Sequence, residues 1–96
     1  MVDLGLAAKV RPCLVLSVPV LDQDRALVTL VPHTTSTRES RFEIAFNVPY
    51  LKQGAFDAQG IVTVPTVKLI RILGALTTAE LAGVEAGVRL WLGLRP

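Results

Sequence analysis

Five of the six prolines in this 96-residue chain stand at the borders of short apolar runs. Pro12 opens Cys13–Val18 and Pro19 closes it. Pro32 closes Ala26–Val31, Pro49 bends the chain after Phe46, and Pro65 closes Ile61–Val64. Proline has no N–H to give to a ladder or a helix and holds φ at about −65°. These runs therefore cannot merge into long helices. Short apolar segments rich in valine, isoleucine and leucine between such breaks read as strands. Arg11, just before Pro12, is pushed into an extended conformation. Leu21–Arg25 is a polar turn that folds the second run back on the first as a hairpin.

The remaining segments fit the same plan. Val2–Leu4 reads as the tail of a short strand, with Gly5 opening a turn, and Leu6–Val10 carries no decisive pattern. Arg41–Phe46 alternates, with Phe42, Ile44 and Phe46 on one face and Arg41 and Glu43 on the other, as in a half-buried strand. Tyr50–Gln59 is irregular. Val67–Leu73 has apolar residues on both faces, which predicts a strand covered on both sides, closed by Gly74.

One helix is expected. Thr77-Thr-Ala-Glu80 is a capping box, in which the Thr77 hydroxyl takes the N–H three residues on and Glu80 reaches back. Leu81, Val84, Val88 and Leu92 follow at helical spacing, with Trp91 beside them, and Gly93 is a stop. Gly83 and Gly87 share one side of this helix, and either admit a close neighbour or are tolerated at the surface. The expected fold class is mainly β with one C-terminal helix, a small curled antiparallel SH3-like barrel.

Composition bounds the function. With 51% hydrophobic against 19% charged residues the chain is not disordered. It is also more apolar than one small domain needs, so part of the surplus should be buried against a partner. The single Cys13 allows no internal disulfide and reads as a small core residue. No apolar run reaches the roughly 18–20 residues of a membrane span, and the N-terminus lacks a signal-peptide pattern. A cytoplasmic location without membrane contact is expected. The net charge of +2 permits nucleic-acid binding, but the charges are scattered.

Chemistry concentrates after Pro32. His33–Ser40 holds the only histidine, three threonines, two serines and the Arg38–Glu39 pair. An imidazole titrates near neutrality, which suits a general base or acid; the plainer reading is a structural or solvent-facing histidine, since adjacent strand residues point to opposite faces unless the loop bends. No second cysteine or histidine offers a metal set. Arg38, Arg41 and Lys52 read equally as groove-lining or solvated charges, and Arg71 and Arg89 as surface or dimer-edge charges. Phe42, Phe46 and Trp91 fit core packing, whereas Tyr50 and Phe56 are the better base-stacking candidates.

Taken together, Val10-Arg-Pro-Cys-Leu-Val-Leu-Ser17, Leu30-Val-Pro-His-Thr-Thr-Ser36, Arg41-Phe-Glu-Ile44, Gly60-Ile-Val62 and the capped helix ending Leu92-Gly-Leu94 resemble the MazF/PemK (Kid) toxins of type II toxin–antitoxin systems. The match follows the family's order through nearly the whole chain, as one domain over residues 1–96. The resemblance implies an endoribonuclease that cuts single-stranded RNA at short motifs without a metal or other cofactor. It also implies a homodimer and a cognate antitoxin that covers the RNA groove. The family's cleavage-linked arginine and threonine fall on Arg11 and Thr34, with His33 beside Thr34 as a third catalytic candidate. Lys9, Thr35, Ser36, Arg38, Arg41 and Lys68 are the candidate RNA-binding residues.

The chain departs from the family pattern in three places. The first strand is shortened, the loop Gly5–Val10 has no Glu or Gln, and a later Asp-Gln segment reads Pro65-Thr66 before Val67-Lys68. The aspartate that PemK-like members use in cleavage thus has no counterpart there. A CcdB-like toxin that binds a protein such as DNA gyrase, or a binding-only relative without turnover, is the alternative reading.

Overall fold

The computed structural model describes residues 2–6 and 9–95, with side chains from residue 11 to residue 95. Seven antiparallel strands form one curled sheet: β1 Val2–Leu6, β2 Lys9–Val15, β3 Leu27–Thr34, β4 Glu43–Ile44, β5 Ala55–Asp57, β6 Val62–Pro65 and β7 Leu69–Ile72. The helix α1 spans Thr78–Leu92. Strand order is β4-β5-β3-β2-β1-β7, with β6 also paired to β3.

β3 is the hub. One edge pairs with β2 through Cys13↔Pro32, Leu14↔Val31 and Val15↔Leu30. The other edge changes partner along its length. Leu27–Leu30 pair with β6, from Leu27↔Pro65 to Leu30↔Val62. His33 and Thr34 then pair with Phe56 and Ala55 of β5. The changeover falls at Val31–Pro32, which neither β5 nor β6 pairs, so the missing N–H of Pro32 has no partner to lose on that edge. A 3-10 turn over Ala58–Gly60 carries the chain from β5 to β6 past this point. A Cβ on Gly60 would stand 2.8 Å from Pro32 Cγ, so the two backbones approach this closely because residue 60 is glycine.

Several sequence expectations are corrected here. Pro32 does not end its strand; β3 runs on to Thr34 and takes His33 into the sheet. Pro12 lies inside β2 rather than at its start, and β2 ends at Val15, three residues before the predicted end at Val18. Gly5 opens no turn: it is paired with Val10 within the β1–β2 hairpin. Of Arg41–Phe46 only Glu43–Ile44 is strand. Phe42 is nonetheless buried and Ile44 and Phe46 pack on the core, because the side-chain alternation survives the loss of ladder bonds. Tyr50–Gln59 contains β5, and Phe56, offered for base stacking, is 1% exposed. β7 lies at a sheet edge with Ile70 and Ile72 exposed, not covered on both sides. The predicted strand's first residues, Val67 and Lys68, belong instead to a 3-10 turn over Thr66–Lys68.

Two apolar layers follow from the pleat. Leu14, Val31, Phe42, Val48, Phe56, Ala58, Val84 and Val88 pack between the sheet and α1. Cys13, Val28, Leu30 and Val64 fill the opposite face. The helix begins as predicted: Glu80 N–H donates to Thr77 Oγ1 at 3.1 Å, and Thr77 N–H donates to Glu80 Oε1 at 2.9 Å. It ends at Gly93 with φ 69°, where the Leu94 N–H donates to the Arg89 carbonyl at 2.9 Å. Gly87 sits against Ile44 of β4, where a Cβ would overlap Ile44 Cδ1, whereas Gly83 has 3.7 Å of room. Phe42 meets Trp91 edge-on, with ring centroids 5.2 Å apart. Leu92, expected on the buried face, is half exposed.

Candidate functional site

The β2–β3 register builds the site. Its last pair, Cys13↔Pro32, points the preceding residues of β2 at the following residues of β3. Arg11 and Pro12 of β2 and His33 and Thr34 of β3 lie just beyond that last pair. All four line one cleft of about 670 Å³. A second row crosses the sheet from the far side: Asp3 pairs with both Pro12 and Arg71, which brings Arg71 to the same cleft. Thr35 and Ser36 close one wall, and Tyr50, Leu51 and Lys52 another.

His33 is 6% exposed and sits edge-on to Phe56, with ring centroids 5.1 Å apart and an interplanar angle of 74°. Burial among apolar groups disfavours the imidazolium and lowers the pKa below the ordinary 6.5. The ring is therefore neutral at pH 7, with one nitrogen able to accept a proton. Gly54 holds this corner. A Cβ there would overlap the Thr34 carbonyl oxygen and stand 2.9 Å from His33 Cε1.

Thr34 is half buried, and its Oγ1 accepts the Ser36 N–H at 3.1 Å. With one acceptor position so engaged, the hydroxyl still has its proton to donate. The loop beyond is tied down by Glu43. Its carboxylate accepts the Arg38 N–H at 2.8 Å and the Ser40 N–H at 3.1 Å. Ser40 Oγ in turn accepts the Phe42 N–H at 3.2 Å. Glu39, between the two braced amides, has φ 55°.

The cleft thus gathers five of the predicted residues, Arg11, His33, Thr34, Thr35 and Ser36. It also holds Lys52, whose role the sequence left open, and Arg71, which it read as a surface or dimer-edge charge. Arg71 has no local signal; only pairing through β1 brings it there. Arg38 lines a smaller neighbouring cavity with Asp57 and Gln59, on the other side of Thr34 and Ser36. Arg41 stacks over the Phe42 ring at 4.6 Å, and Lys68 is exposed in the 3-10 turn before β7. Lys9 belongs to β2, but its side chain lies outside the described residues. None of the described cleft residues bears a carboxylate, so three cations and four hydroxyl side chains face the space together. A polyanion is the ligand such a wall attracts. Among the described residues, no group of three His, Cys, Asp or Glu is arranged to hold a metal ion. No helix of the described residues is long and apolar enough to cross a membrane.

A curled antiparallel sheet closed by one C-terminal helix is a fold shared with solved bacterial toxins. An endoribonuclease solved in complex with its cognate antitoxin, from a mycobacterial species, superposes with a TM-score of 0.84 at 24% identity, covering 99% of this chain and 92% of that one. The Mycobacterium tuberculosis toxin MazF-mt6 gives 0.82 at 24% identity, over 99% and 98% of the two chains. MazF in the MazE–MazF structure from Deinococcus radiodurans gives 0.82 at 22% identity, over 98% and 91%. No curated protein sequence matches. The family itself is settled by sequence: the chain belongs to the PemK-like, MazF-like toxins of type II toxin–antitoxin systems, whose family model matches residues 2–92.

Proposed function

We propose that this toxin is an endoribonuclease that cuts single-stranded RNA without a metal, by attack of a ribose 2′-OH on the adjacent phosphorus. The observation that carries the reading is the convergence of Arg11, His33 and Thr34 on one cleft that holds three cations and, among its described residues, no carboxylate. The 2′-oxygen forms a bond to phosphorus and the bond to the 5′-oxygen breaks, leaving a 2′,3′-cyclic phosphate and a 5′-hydroxyl. His33, neutral at pH 7, takes the 2′-proton. The Arg11 guanidinium, a permanent charge with forked donors, stabilises the dianionic phosphorane, and the leaving 5′-oxygen takes its proton from solvent water. Thr34 donates its hydroxyl to a phosphate oxygen and fixes the backbone for in-line attack. Thr35, Ser36, Lys52 and Arg71 extend the phosphate-binding wall. Arg38, Arg41 and Lys68 then serve RNA beyond the cleft, and Lys9 remains a further RNA-binding candidate on β2.

By analogy with the solved complexes one partner is a cognate antitoxin, and membership of the toxin family adds a second copy of this chain. An antitoxin segment that covers the cleft would silence the enzyme, and acidic side chains on it would suit a wall of this sign.

The test is incubation of purified protein with mixed-sequence RNA in EDTA, beside Arg11→Ala, with fragment ends mapped. Discrete cuts ending in cyclic phosphate are expected, slowed by about 10²–10³-fold in the variant, the usual effect of losing one transition-state donor. RNA left intact by the wild-type protein, or cut equally by Arg11→Ala, overturns the assignment.

A further inference from the structure

The cleft is not chemically uniform. Arg11, His33 and Thr34 stand together where β2 and β3 meet, whereas Tyr50 comes from the segment before β5 and is flanked by Leu51 and Leu73. Its volume of about 670 Å³ is several times that of one phosphate, so the proposed chemistry at the first end leaves room unaccounted for at the second.

Tyr50 is held in an unusual way. The residue is 43% exposed, yet its hydroxyl donates to the Ala75 carbonyl at 3.3 Å. The chain at Gly74 lies flush against the ring: a Cβ there would stand 2.7 Å from Cζ and 2.9 Å from Cε1. The ring is thus clamped at its hydroxyl end by the connector between β7 and α1, while its other side stays open to the cleft. A fixed, half-exposed aromatic beside cations is a stacking platform, and stacking needs the ring held in advance.

We infer that Tyr50, backed by Gly74, forms a nucleobase subsite of the cleft, on which a base flanking the scissile phosphate stacks. This rests on the reading of the protein as an RNA-binding toxin and adds to it a residue that selects how the strand lies. Leu51 and Leu73 supply apolar edges to the same base, and Lys52 and Arg71 bind the phosphates on either side. Such a platform orders the strand without reading base identity, since every base has a π-face.

The experiment uses uncleavable oligoribonucleotides, 2′-deoxy at the cut site, carrying an abasic residue at each position in turn, with affinity measured for wild type, Tyr50→Ala, Tyr50→Phe and Gly74→Ala. The expected result is a roughly 5- to 150-fold loss for Tyr50→Ala, the range of base–aromatic stacking losses. That loss should disappear when one particular position is abasic, and Tyr50→Phe should stay within a few-fold of wild type. Gly74→Ala should lose affinity at the same position, because its methyl displaces the ring; circular dichroism verifies that the variants are folded. Equal binding by Tyr50→Ala, or a loss indifferent to the abasic position, overturns the subsite. Wild-type protein that binds these strands but never cuts RNA defeats the nuclease reading while leaving the subsite standing. Protein that binds none of them overturns the subsite, while cleavage of RNA in EDTA decides the nuclease reading separately.

Discussion

At the scale of single residues the site rests on how burial and hydrogen bonding set protonation. His33 resists the proton in the folded state because the imidazolium would sit against Phe56 away from water. The unfolded chain accepts that proton as pH drops below about 6.5, so it binds more protons than the native state between 6.5 and the lower native value. Stability therefore falls as pH falls through this window and is fully present above it. Thermal melts should show a steeper acid-side loss for wild type than for His33→Gln, which has no group to titrate there. Parallel curves would remove burial of the neutral ring from the account. Thr34 makes a separate prediction. Its oxygen accepts the Ser36 N–H, and its proton is available for phosphate. Thr34→Val should lose roughly 10- to 150-fold in cleavage, the worth of about 1.5–3 kcal/mol for a hydrogen bond to a charged group. Thr34→Ser should recover most of that rate.

At the scale of elements, α1 shows how one backbone position can matter and its near-equivalent not. Gly83 and Gly87 both face β4, but the added methyl has 3.7 Å of clearance at Gly83 and overlaps Ile44 at Gly87. Alanine is better than glycine in a helix by about 1 kcal/mol. Gly83→Ala should therefore raise the denaturation midpoint by about 0.5–1 kcal/mol of stability. Gly87→Ala should lower it, since overpacking costs typically about 1–3 kcal/mol. Adding Ile44→Val, which removes the obstructing methyl, should restore much of the loss. Chemical denaturation of the three variants is the check; a gain at Gly87 equal to that at Gly83 would mean Ile44 moves aside freely.

At the scale of the whole molecule, the apolar surplus in the composition is visible as surface. Val67 and Ile72 near the sheet edge are 85% and 80% exposed, and Leu90, Leu92 and Leu94 at the end of α1 are about half exposed. An edge strand with apolar side chains is a surface that natural proteins cover. If a second copy covers it, as the proposed homodimer requires, sedimentation should report twice the chain mass and the melting temperature should rise with protein concentration. A concentration-independent monomer would assign that surface to the antitoxin instead.

The strand-rich class, the curled antiparallel arrangement and both helix ends were legible in the chain itself. The reason is that proline breaks, alternation, the Thr77–Glu80 box and Gly93 act over a few residues each. Arg11, His33 and Thr34 stand out in the chain because they lie beside those breaks or in the densest polar stretch, and all three line one cleft. What the chain could not state was everything that depends on register across strands. Pro32 looked like a strand end because its tolerated position, at a change of partner from β6 to β5, exists only once those strands are in place. Phe56 looked exposed because β5 has three residues and no periodicity to read. Arg71 reaches the cleft through Asp3 of β1, more than sixty residues earlier in the chain. Local sequence carries propensity and pattern; the pairing of distant strands, decided by burial of both faces of the sheet, chooses which side chains share a site.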